Sequence, residues 1–135
     1  MRRSVRGLTA LAAVAGLAGV AACGSSSPTG PTNVSLAGNY TLTSFTEAGN
    51  DLTGVASGTL VLTDSTYNVH LAFQGNVVPP VADSGTYTAT STGSFSETSS
   101  VDGSQVTGTY TDANNMLTVN LTTVVGAITQ TWQKQ

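Results

Sequence analysis

Residues 66–74 read TYNVHLAFQ, and no other feature of the chain restricts its fold as strongly. Tyr67, Val69, Leu71 and Phe73 share one parity, while Asn68, His70, Ala72 and Gln74 share the other. Successive side chains of a strand point to opposite faces, so this row can be buried together only as β-structure. The same alternation recurs over 38–45 (Tyr40, Leu42), 58–63 (Leu60, Leu62), 83–90 (Tyr87, Ala89) and 94–100 (Phe95). It continues over 105–111 (Val106, Tyr110), 116–123 (Leu117, Val119, Leu121) and 127–133 (Ile128, Trp132). No window in the body of the chain carries an apolar stripe at helical spacing. Threonine fills much of the opposite parity, where it keeps β propensity while staying polar.

The breaks between these segments are turn chemistry. Asp64-Ser65, Gly75-Asn76, Thr92-Gly93, Asp102-Gly103, Asn114-Asn115 and Gly126 tolerate positive φ or close their own backbone turns. Pro79-Pro80 cannot donate to a ladder and marks a loop. Most acids fall at turns. Only 46–57 and 75–82 are long connections, and short ones place consecutive strands side by side. The expected fold is all-β: an antiparallel up-and-down meander of about eight strands, curled into a small barrel or half-barrel. An Ig-like β-sandwich is the alternative, although Greek-key crossings call for more long connections.

The first 35 residues are different. Arg2, Arg3 and Arg6 precede an uncharged apolar run at 8–22. That layout is a secretory signal. As a helix the run would measure roughly 22 Å, short of the about 20 residues that a spanning helix needs. It ends in Val20-Ala21-Ala22-Cys23, which holds the only cysteine. These four residues resemble the lipobox of bacterial lipoproteins. The resemblance implies cleavage between Ala22 and Cys23, diacylglyceryl transfer to the Cys23 sulfur, and a bacterial cell-envelope address. Gly24 follows the cysteine where an aspartate commonly retains such proteins in the inner membrane, so the implied address is the outer membrane. Stable anchoring takes more than one acyl chain. Residues 23–35, CGSSSPTGPTNVS, have no periodicity and read as a flexible tether. The organisation read from sequence is thus 1–22 signal peptide, 23–35 tether and 36–135 folded domain.

The domain carries a family resemblance of its own. "AGNYTLTSF", "SGTLVLTDSTYNV", "SGTYTAT", "GSQVTGTYTDANNMLTV" and the terminal "TWQK" are similar to the lipocalin-like domains of small bacterial lipoproteins. This implies a β-barrel-like fold over 36–135 and no particular ligand. Lipocalins carry Gly-x-Trp on the first strand and a late arginine packed across it. Here Gly38-Asn39-Tyr40 places a tyrosine there, and no arginine follows Arg6.

Charge and residue types narrow the function. All seven acids lie beyond Cys23, and of the four bases only Lys134 does, so the mature chain is more acidic than the −3 of the whole. A surface almost without bases cannot neutralise phosphates, which argues against nucleic acid. The single histidine, His70, falls on the polar parity, and no Gly-x-Ser-x-Gly stretch accompanies it. One His and one lipid-bearing Cys do not make a zinc site. Asp112-Ala113-Asn114-Asn115 lacks the spacing and terminal Glu of an EF-hand and reads as a turn. The expectation is a non-enzyme with no catalytic residues, metal or cofactor. Its membrane partner is reached through the lipid on Cys23, and nothing in the chain names a protein partner.

Two readings remain. In the first, Tyr40, Leu62, Tyr67, Phe73, Tyr87, Tyr110 and Trp132 line a cup for a small apolar ligand, which requires a cavity of roughly 300 Å³ or more. In the second, the same side chains fill the core, and an exposed apolar patch or unpaired sheet edge meets a partner.

Overall fold

The period-two segments form strands close to where the alternation places them. The computed structural model describes residues 30–76 and 78–135. Residues 1–22, Cys23 and the start of the tether lie outside the described residues. The strands are β1 (Gly38–Glu47), β2 (Asn50–Asp51), β3 (Ala56–Leu62), β4 (Thr66–Phe73), β5 (Val81–Ala89), β6 (Ser94–Ser99), β7 (Gln105–Ala113), β8 (Met116–Thr123) and β9 (Gly126–Lys134). β3 pairs antiparallel with β1, and from β3 to β9 each strand pairs antiparallel with the next. β9 then returns to β1, pairing Tyr40 with Lys134 through to Glu47 with Ile128. The meander therefore closes into a barrel, and the sandwich alternative does not form.

One detail differs from the sequence reading. Residues 46–57 are not an open loop. β1 runs on to Glu47, turns at Ala48 and Gly49, and comes back as the two-residue β2. Leu52 N–H then donates to the Phe45 carbonyl, and Phe45 N–H donates to Thr53 Oγ1. These bonds occupy backbone that β3 leaves behind, because the β1–β3 ladder ends at Thr41 and Thr59. A bulge between Leu42 and Ser44 also shifts the register against β9. One extra residue moves the inward parity from Tyr40 and Leu42 to Phe45. β6 forms where the alternation over 94–100 places it and is laddered on both edges.

Inside, large side chains alternate with glycine. Phe95 pairs across to Gly108, and Tyr67 pairs across to Gly85. A Cβ on Gly108 would run into the Asn120 carbonyl, and one on Gly85 into the Thr98 carbonyl. Close approach of neighbouring strands, not positive φ, requires glycine at both positions. Trp132 and Leu117 are fully buried beside Tyr40, Leu62 and Leu121.

The antiparallel order gives the barrel two unlike ends. One carries the 63–65, 90–93 and 114–115 turns and is crossed by residues 32–36, which join the end of the segment read as a tether to the first residue of the domain. Asn33 bridges to Thr90, Val34 N–H donates to the Ala89 carbonyl, and Ser91 N–H donates to the Thr32 carbonyl. Leu36 is driven into the barrel mouth, 2% exposed. This is the strap end. The far end carries the turns 48–55, 100–104 and 124–125 and residues 74–76 and 78–80.

Gly108→Ala is expected to destabilise the barrel by about 1–3 kcal/mol, the usual cost of forcing extra volume into a packed core. Urea unfolding followed by Trp132 fluorescence checks it. A midpoint equal to the parent's would mean that the strands do not approach as closely as described.

Candidate functional site

The seven candidate pocket residues all turn inward, but the structure does not bring them together in one site. Tyr40, Tyr87 and Tyr110 lie toward the strap end, where their hydroxyls are fasteners. Tyr40 Oη donates to the Leu36 carbonyl at 2.7 Å, and Leu36 N–H donates to Tyr87 Oη at 3.1 Å. Tyr87 Oη in turn donates to the Thr63 carbonyl at 2.7 Å, and Tyr110 Oη donates to the Thr90 carbonyl at 2.8 Å. Burial raises the proton affinity of all three phenols, pushing Tyr40 up to about 12. Phe73 lies toward the far end, edge-on to Phe45 with ring centroids 5.4 Å apart. Only Leu62, Tyr67 and Trp132 of the seven border interior space.

That space is a cavity of about 40 Å³. Leu60, Val69, Phe95, Leu117, Val119 and Leu121 complete its apolar wall. It has room for about one or two water molecules, against the roughly 300 Å³ or more that an apolar ligand of ordinary size requires. Two polar side chains reach it, Gln130 and Glu97. Gln130 Oε1 accepts from the Trp132 indole N–H at 3.1 Å, which uses the one donor of that ring.

Glu97 is the unexpected member. It sits on β6 between Phe95 and Ser99, on the inward parity, and pairs across to Tyr87 and Val106. Burial, aided by the charge of Asp83, raises its carboxyl to about 7. Asp83 also lies inside a strand rather than at a turn. It is held by Tyr67 Oη donating to Oδ2 at 2.6 Å, Ser99 Oγ donating to Oδ1 at 2.6 Å, and Ser84 N–H donating to Oδ1 at 2.8 Å. Ser99 Oγ accepts from Val101 N–H at 3.1 Å, which ties this network to the far-end turn. Burial, then the bond to Asp83, raises the Tyr67 phenol well above its usual range. The sequence did carry a signal for both acids. Glu97 shares the parity of Phe95, and Asp83 that of Tyr87, two and four residues away.

The remaining candidates stand apart. His70 is exposed on the outer face of β4, beside an open groove of about 520 Å³ that also touches Ser57, Thr59 and Ala72. Asp112 is exposed near the end of β7, paired with Leu117, and Asn114 and Asn115 form the exposed β7–β8 turn, where both take positive φ, as a two-residue hairpin loop requires. Among the described residues no group of three or more His, Cys, Asp or Glu is placed to hold a metal ion. Ala22 and Cys23 lie outside the described residues. The chain matches no known protein family, and neither a curated protein nor a solved structure is similar to it.

Tyr67→Phe removes one of three donors to a half-buried carboxylate, and the barrel is expected to lose about 1.5–3 kcal/mol. Chemical denaturation at neutral pH measures this. An unchanged midpoint would show that Asp83 does not depend on the phenol.

Proposed function

We propose that the chain is a lipid-anchored protein of the bacterial cell envelope, a filled barrel that meets a protein partner through its far end. The observation that carries this reading is the difference between the two ends. At the strap end the chain arrives from the segment that begins at Cys23 and is fastened by backbone and tyrosine bonds. At the far end Val55, Val101, Val124 and Val125 are exposed on turns, with Val124 wholly in solvent. Exposed β-branched side chains at loop tips gain nothing from the fold, and they are useful on a contact surface. A lipid on Cys23 would hold the strap end toward the membrane and turn the valines outward. The signal-like start and the lipobox resemblance support the anchor, and Gly24 supports an outer-membrane address.

The interior supports the filled-core reading over a ligand cup, since the space of about 40 Å³ within it is bordered by packed leucines and aromatics. The partner's chemistry follows from charge. Asp51 and Asp102 stand exposed on the valine-bearing turns, and no base lies on them. A face that is apolar at its centre and basic at its rim would match.

Cys23→Ser is expected to move the protein from the membrane fraction to the soluble fraction of its host, read by detergent phase partitioning. Retention in the detergent phase would refute the anchor. For the docking end, a photo-reactive residue at position 125 is expected to crosslink one envelope protein. The same residue at Thr59, on the barrel wall, is expected not to, and Val101→Ser with Val124→Ser is expected to abolish the product. Equal products from both positions, or none from position 125, would overturn the reading.

A further inference from the structure

We propose that the barrel interior is a proton site: Glu97 carries its proton in the closed barrel, and giving it up loosens the β5–β6–β7 wall around it. The proposal goes beyond the anchoring and docking reading and does not depend on it.

The geometry places an acid on the inward parity with no base beside it among the described residues. Glu97 points into the barrel and borders the 40 Å³ cavity. β5 faces it with Asp83 and Tyr87, and β4 with Tyr67. β7 offers Val106 across the ladder. β8, β9 and β3 offer Leu117, Val119, Leu121, Gln130, Trp132, Leu60 and Leu62, none of them titratable. Asp102, on the turn after β6, is exposed and accepts from Ser104 N–H. Lys134 is the only lysine or arginine among the described residues, and it lies over the Tyr40 ring, 5.7 Å from its centroid, at the strap end. Asp83 has already taken the donors in reach, Tyr67 and Ser99 among them. Two carboxyls and no base thus share one low-dielectric wall. The acid with fewer hydrogen bonds keeps its proton, as in other paired carboxyl sites.

The direction of the linkage follows. The Glu97 carboxyl is raised from 4.5 to about 7 in the folded chain. Between those two values the folded barrel holds a proton that the unfolded chain has released, so stability falls as pH rises through that window. The contribution is complete in acid and gone above neutrality. The barrel is therefore firmer on the acid side, opposite to the trend set by a salt-bridged carboxylate.

The test uses the full chain in detergent. The Glu97 carboxyl carbon, followed by NMR, is expected to titrate with a midpoint near neutrality, and Asp83→Asn is expected to lower that midpoint. The melting temperature of the parent is expected to fall between about pH 5 and about pH 8, while that of Glu97→Gln stays level. Amide protection at Tyr87, Glu97 and Val106, corrected for the base catalysis of exchange, is expected to drop over the same range in the parent only. A Glu97 midpoint in the ordinary glutamate range, or an equal pH slope in Glu97→Gln, would overturn the proposal. Should Glu97→Gln fail to fold, the titration of the parent decides.

Discussion

The ladder between β1 and β9 turns a strip of antiparallel sheet into a barrel, and the other properties of the molecule depend on it. An open meander of this composition would present two unpaired edges, with few charged side chains to guard them. Closure pairs both edges at once. It also makes an inside and an outside out of two parities of one sequence. The outside can then be threonine and serine without cost, because no strand there needs a partner. The inside must be filled, because about eight strands enclose only enough width for side chains or one small ligand.

Filling the inside explains several choices that look unrelated along the chain. Gly85 and Gly108 make room where neighbouring strands crowd, opposite Tyr67 and Phe95. The tyrosines carry ring area into the core and keep a hydroxyl for the rim, which is why three of them end on carbonyls near the strap. The strap in turn supplies Leu36 to the barrel mouth. What remains is a small space with one acid on its wall. That acid lies on the inward parity with no base beside it among the described residues.

Much of this was legible in the chain. Strands β3, β4, β7, β8 and β9 follow the period-two rows closely, and the turn residues separate them within a residue or two. β2 was not legible, because two polar residues after Gly49 have no periodicity, and only the unfilled backbone of β1 gives them a partner. The docking of residues 32–36 was missed for a similar reason: Val34 and Leu36 are too few to make a pattern, and their place is set by the mouth they close. The inward aromatics were correct as a set, but parity says only which face a side chain takes. Its height along the barrel comes from register, and register separates the strap-end tyrosines from Phe73 near the other end. Glu97 was hidden by the habit of reading acids as turn residues, although its parity with Phe95 was plain.

Closure is the claim on which the filled interior, the two unlike ends and the proton site all rest. Native-state hydrogen exchange across the β1–β9 ladder tests it most directly, at pairs such as Thr41 with Gln133 and Thr46 with Thr129. The expected result is protection as strong as at Thr111 and Thr118 in the β7–β8 ladder, with both ladders opening only in global unfolding. Exchange at the β1–β9 pairs well ahead of the rest of the sheet would mean that the first and last strands are free edges, and would contradict a closed barrel.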